Sequence, residues 1–220
     1  MISMVNQQSG TKRNAWSMAF MLPLTLLLIA LTSCSEESTA VDEYADWQNR
    51  NEQYISQLYT TVQAKVAAGD ATWAMLPAYT RGADATLTPA DYIYVQKLEN
   101  GTETTTSPMV TDYVAIHYSG RLLPTVSYPE GLQFDASYSG TFNAQAAVPA
   151  SSLKAGSYIA GFTTALLHMH PGDRWRVTIP YQLGYGTTAS GSIPAYSTLI
   201  FDIILDDYWM TEKGDRYQRD

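Results

Sequence analysis

The chain has 220 residues, of which 45% are hydrophobic, 12% aromatic and 15% charged. Thirteen Lys and Arg stand against 21 Asp and Glu, a formal net charge of −8 at pH 7. That composition excludes a disordered or collagen-like chain, and an acidic balance without Lys/Arg clusters excludes a nucleic-acid partner. A single cysteine, Cys34, excludes an internal disulfide, a CxxC pair and a cysteine-rich zinc site.

Residues 1–33 contain no acid; their charges are Lys12 and Arg13, followed by an apolar run from Trp16 to Leu31. A basic start, an apolar middle and small residues before a cut describe a secretory signal, and Pro23 disfavours a retained membrane helix. Leu31-Thr32-Ser33-Cys34 resembles a bacterial lipobox. The resemblance implies cleavage before Cys34 and a lipid on its thiol, with residues 34–40 as a lipidated tether to a membrane. Ser35 in place of aspartate points to the outer membrane, facing the periplasm or the cell surface, and Glu36-Glu37 resembles a surface-export signal.

Residues 41–91 read as a helical N-terminal segment and a connector. From Val41 to Ala68 there is no Pro or Gly, and Tyr44, Trp47, Tyr54 or Ile55, Leu58, Val62 and Val66 recur at spacings of three and four. This predicts an amphipathic helix ended by Gly69. Its stripe either packs on the chain's own core or forms a homodimer seam through the 41–68 helix. Residues 69–91, broken by Pro77, Gly82 and Pro89, predict a connector.

Tyr92–Leu98 and Tyr113–Leu123 read as strands, with Asn100-Gly101 as a turn between them. Val114, Ile116 and Tyr118 share one face of the second strand, and Tyr113, Ala115 and His117 the other. Ala146–Ala150 reads as a short extended piece. Phe162, Leu166 and Met169 define one face of a short helix ending at Pro171-Gly172. Trp175, Val177 and Ile179 alternate with polar residues, and Leu199, Phe201, Ile203 and Leu205 line one face of the last strand. The expected fold is α+β: an antiparallel sheet domain over residues 92–209 with one short helix, and a polar tail at 210–220.

An ordered series of motifs runs through this domain. It comprises Ile116-His117-Tyr118-Ser119-Gly120, Phe134-Asp135-Ala136-Ser137, Tyr158-Ile159-Ala160-Gly161-Phe162, Pro171-Gly172, Val177-Thr178-Ile179-Pro180, Leu183-Gly184-Tyr185-Gly186, Ile193-Pro194 and Ser197 to Asp202. The order resembles the FKBP-type peptidyl-prolyl cis-trans isomerases from about Tyr92 to Tyr208. The resemblance implies a curved antiparallel sheet wrapped on one short helix, and a pocket for proline that needs no cofactor and no metal. It implies that Tyr118, Asp135 and Tyr185 are catalytic and that Phe134, Tyr158, Ile159, Phe162, Ile193 and Phe201 bind substrate. Tyr118 is expected to hydrogen-bond to Asp135, Tyr185 and the Ile159 N–H to meet substrate carbonyls, and Phe162 to form the floor.

The chain departs from the family at several places. Phe162 replaces the usual Trp, Ala195 replaces a second proline, and the loop between Tyr185 and Ile193 is short. Pro124–Pro129 and Ser151–Ser157 look inserted, and Phe142 has no clear counterpart. The implied partners are proline-containing unfolded or exported polypeptides; the alternative is a non-catalytic FKBP-like binding module for unfolded chains.

Other constellations read as structural. His168 and His170 lie at i, i+2 and cannot share a helix face as zinc-binding histidines do. His117 reads as a satisfied strand histidine, Asp206-Asp207 as a solvated strand end, and Gly184-x-Gly186 lacks the third glycine of a nucleotide loop.

Overall fold

The computed structural model describes residues 42–102, 106–143 and 149–210. The signal segment, Cys34, the tether and residues 211–220 lie outside the described residues. The architecture is α+β, as the sequence predicts. Helix α1 (Trp47–Ala67) is followed by strands β1 (Trp73–Pro77), β2 (Tyr92–Glu99), β3 (Tyr113–Arg121), β4 (Gln133–Ala136) and β5 (Ala150–Lys154). Helix α2 (Ala160–Leu166), β6 (Arg174–Ile179) and β7 (Leu199–Trp209) complete the order. The sheet is antiparallel throughout, with strands in the order β1-β2-β6-β7-β3-β4 and β5 paired to β3.

Alternation places Ile93 and Val95 of β2, Val177 and Ile179 of β6, and Ile203 and Leu205 of β7 in one core. Helix α2 covers that core with Phe162 and Leu166, and Met169 follows just beyond it. The helix is shorter than the motif predicts. It caps at Leu167, and Met169 reaches the core from the turn that leads to Pro171.

The predicted connector contains a strand. Trp73–Pro77 carries no β-branched residue and so gives little strand signal. It nevertheless pairs with β2, Leu76 opposite Ile93, because the β2 edge otherwise presents unpaired backbone groups. Pro77 is tolerated at the end of this edge strand. Of the extended piece expected at 146–150, residues 146–148 lie outside the described residues; β5 begins at Ala150 and runs into the segment that looked inserted.

Helix α1 begins six residues later than the uninterrupted run, because residues 42–46 form turns and Asp46 takes φ 51°. It ends as predicted. Gly69 at φ +80° lets its own N–H reach the Val66 carbonyl (3.0 Å) while the Asp70 N–H reaches that of Lys65 (3.0 Å), a Schellman closure. The buried stripe is Trp47, Asn51, Ile55 and Val62. Ile55 and Val62 pack with Tyr94 of β2, partly covered by Trp73 and Met75 of β1. Val66, expected in the stripe, is exposed.

Asn51 was not expected inside. Its Oδ1 accepts the Thr198 N–H at 2.7 Å, and its amide donates to the Trp47 carbonyl at 2.7 Å. Asn51→Ala leaves the buried Thr198 N–H unpaired and should lower stability by about 1–3 kcal/mol in urea unfolding.

Candidate active site

Three elements of the sheet and the entry to α2 build a cleft of about 280 Å³. Register explains who meets whom. On β3, Gly120 stands opposite Asp135 of β4 and Phe201 of β7. Tyr118, two residues earlier on the same face, is therefore the diagonal neighbour of Asp135. The Tyr118 hydroxyl donates to Asp135 Oδ2 at 2.9 Å. The β4 strand is held beside it by paired contacts between Tyr118 and Ser137, each backbone N–H finding an oxygen of the other residue at 2.9 Å.

Gly120 is required by close approach. A Cβ there would strike the rings of both Phe134 and Phe201. Without it, the two rings meet edge to face, centroids 5.4 Å apart and planes at 86°. Phe162 rises from α2 into this nest. It meets Phe201 edge to face at 5.1 Å and Tyr118 at 5.9 Å, and Tyr158 stacks on it at 4.9 Å. Edge-to-face and offset pairs are the arrangements aromatic quadrupoles favour.

The aromatic walls also shape the polar groups. Burial, reinforced by the bond to Asp135, pushes the Tyr118 pKa well above the ordinary value of 10.0, and the hydroxyls of Tyr158 and Tyr185 act in the same direction. Tyr118 therefore stays a donor across the neutral and mildly alkaline range. Burial raises Tyr158 as well. Ile159 precedes α2 with extended backbone (φ −57°, ψ 151°), and its carbonyl accepts the Thr163 N–H at 3.0 Å. Its own N–H meets no acceptor among the described residues. Tyr185 lies on the rim and is 42% exposed.

Eight of the nine expected site residues line this cleft: Tyr118, Phe134, Asp135, Tyr158, Ile159, Phe162, Tyr185 and Phe201. Ile193 does not. It is buried at the base of the neighbouring loop, exchanging backbone hydrogen bonds with Ser190 (2.9 Å each). Ser157 lines the cleft without having been expected, since it belongs to a segment outside the motifs.

Phe142 lies away from the cleft, packed on Tyr138 and His117 at 5.3 and 5.0 Å. His117 is buried, but it is not satisfied as expected: its Nδ1 has no partner among the described residues. Burial lowers its pKa, opposed by the charge of Asp206. Its ring packs at a tilt on Phe142, with planes at 58°. His168 Nδ1 lies 2.8 Å from the Thr164 carbonyl and His170 Nδ1 lies 3.4 Å from Asp173, so each is engaged locally.

Residues 104–206 match the family described as FKBP-type peptidyl-prolyl cis-trans isomerase. Over 123 residues, 56% of the chain, it is 36% identical to a macrophage infectivity potentiator of Trypanosoma cruzi, covering 55% of that protein. Over 99 residues, 44% of the chain, it is 36% identical to an FKBP-type 22 kDa peptidyl-prolyl cis-trans isomerase of Escherichia coli K12, covering 42% of it. The chain thus spans about half the length of these curated relatives. Among solved structures, a peptidyl-prolyl cis-trans isomerase of Pseudomonas syringae pv. tomato aligns with a TM-score of 0.47 at 26% identity, over 72% of this chain and 95% of that one.

The raised pKa of Tyr118 carries a sign. A group whose folded pKa exceeds its unfolded value of 10.0 contributes stability that is fully present below pH 10 and is lost as pH rises toward the folded value. Subtracting the tyrosinate absorbance titration of Tyr118→Phe from that of the unaltered protein should leave one hydroxyl ionising above pH 10. The stability difference between the two proteins should shrink over the same window.

Proposed function

We propose that the chain is a peptidyl-prolyl cis-trans isomerase acting on exported or unfolded polypeptides, held to the outer membrane through a lipid on Cys34. The observation that carries the activity is the convergence of five aromatic side chains around the Tyr118–Asp135 pair.

The barrier to rotating an amide is about 18–20 kcal/mol, because rotation destroys resonance. An X–Pro bond takes tens to hundreds of seconds to convert, although its two forms differ by only about 0.5–1 kcal/mol. The planar amide is charge-separated and well solvated by water; the twisted amide is less polar. Walls made by Phe162, Phe201, Phe134 and Tyr158 replace water with aromatic surface and so disfavour the planar form relative to the twisted one. The Ile159 N–H and the Tyr185 hydroxyl stand at the rim as donors for substrate carbonyls, which orients the peptide across the floor. The Tyr118–Asp135 bond fixes the wall between them. Each tenfold of acceleration requires about 1.4 kcal/mol of preference for the twisted state, within reach of such contacts.

Phe162 is 2% exposed, so truncating it empties core as well as cleft, and Phe162→Ala should cost about 3–5 kcal/mol of stability. Tyr185 is the cleaner probe. In a protease-coupled isomerisation assay the protein should accelerate cis-to-trans conversion of a prolyl peptide. Tyr185→Ala and Asp135→Leu should each lower kcat/KM about tenfold with unfolding midpoints within about 0.5 kcal/mol of the unaltered protein. Full activity in both variants would remove these residues from the mechanism.

The smaller floor ring at Phe162 also favours a second reading, a binding module without catalysis. Saturable binding of an unfolded proline-rich chain without any rate acceleration would select it.

The lipobox-like Leu31-Thr32-Ser33-Cys34 supports the anchor. Expressed in a Gram-negative host, the protein should partition with outer membranes and gain acyl mass on Cys34. Cys34→Ala should lose both; unchanged partitioning would refute the lipid anchor.

A further inference from the structure

The loop that carries Tyr185 is fastened at both ends by the first two turns of α1. At its start, Tyr181 donates its hydroxyl to Glu52 Oε1 at 3.1 Å. At its end, the Trp47 indole N–H donates to Ser197 Oγ at 2.8 Å, and that hydroxyl donates onward to the Pro194 carbonyl at 2.7 Å. The Thr198 N–H donates to Asn51 Oδ1 at 2.7 Å.

The two ends are tied to each other as well. Tyr181 and Tyr196 meet edge to face at 5.3 Å, the Tyr196 N–H donates to the Gly186 carbonyl at 3.0 Å, and the Gly186 N–H donates to that of Tyr181 at 2.8 Å. Tyr196 holds φ 63°, a left-handed conformation unfavourable for a bulky residue. Such a conformation persists where surrounding contacts over-determine it. Here those contacts lead back to Trp47, Asn51 and Glu52, all outside the 104–206 match to the isomerase family.

We propose that α1 is a clamp that sets the position of the Tyr185 loop, making Glu52, Trp47 and Asn51 positioning residues for the cleft. The inference rests on the isomerase reading only for its consequence on rate; the clamp itself is a statement about the loop. Glu52 is exposed and Tyr181 half-buried, so their hydrogen bond can be removed without opening the core.

The test uses the full chain and three readouts: hydrogen exchange of amides 184–198, kcat/KM for a prolyl peptide, and the urea midpoint. Glu52→Ala and Tyr181→Phe should each speed loop exchange and lower kcat/KM by about three- to tenfold, the scale of one lost hydrogen bond, at an unchanged midpoint. The double variant should be no worse than either single one, because both remove the same bond. Glu52→Gln, which keeps an acceptor for Tyr181, should restore both readouts. Trp47→Phe, which keeps an aromatic ring but removes the indole donor, should speed exchange at 194–198. Exchange and kcat/KM equal to those of the unaltered protein in Glu52→Ala and Tyr181→Phe, or strictly additive losses in the double variant, would overturn the clamp. If the unaltered protein shows no isomerase activity while loop exchange responds as stated, the isomerase reading fails and the clamp stands.

Discussion

The contact on which the rest of the structure turns is the seat of the Phe162 ring between Tyr158, Tyr118 and Phe201. One face of this interaction belongs to the core: Phe162 is almost wholly buried and ties α2 to β3 and β7. The other belongs to the cleft, whose floor it makes. Core packing and cleft geometry are therefore one problem. The absent side chain at Gly120 is part of the same solution, since any Cβ there would push Phe134 and Phe201 apart and open the nest. For the activity proposed above, a rigid aromatic floor is what the site needs, because that chemistry consists of preferring one amide geometry over another.

Around that centre, the segments that look inserted are used structurally. The Pro124–Pro129 loop is gripped from the N-terminal side: Glu43 accepts hydrogen bonds from the Ser127 N–H and hydroxyl, and Arg50 donates to the Pro124 carbonyl at 3.1 Å. The second segment adds β5 to β3 and brings Ser157 to the cleft. Ile55 and Val62 of α1 meet the sheet on the side of Tyr94, Trp73 and Met75, while Trp47 at the start of the helix joins the core that α2 covers. The first two turns of α1 extend to the Tyr185 loop. The face expected either to pack locally or to pair with a second copy has its buried residues on the chain's own sheet and loop.

Much of this was legible in the sequence, and the exceptions share a cause. Strands β2, β3, β6 and β7 announce themselves by alternation, and eight of nine cleft residues follow from the order of short motifs. What stayed hidden depends on pairing partners that local patterns do not encode. Trp73–Pro77 is a strand only because the β2 edge is there to receive it. Asn51 is buried only because the Thr198 amide needs an acceptor, although a polar residue four positions after Trp47 and four before Ile55 on an amphipathic stripe was the available signal. Ile193 carries the expected motif, but the short loop turns it toward the core through its bridge to Ser190. Ser157 had no signal at all, because its place follows from the path of β5 into α2.

The most direct test of the central claim is exchange spectroscopy on a short prolyl peptide with a small molar fraction of the folded protein. Without catalyst, cis and trans resonances interconvert over tens of seconds or longer and show no exchange cross-peaks. Catalysis in the aromatic cleft would produce cross-peaks between the cis and trans prolyl signals at substoichiometric protein, lost when Tyr185 is replaced by Ala. A peptide that binds, with shifted resonances but no cis–trans exchange, would contradict it.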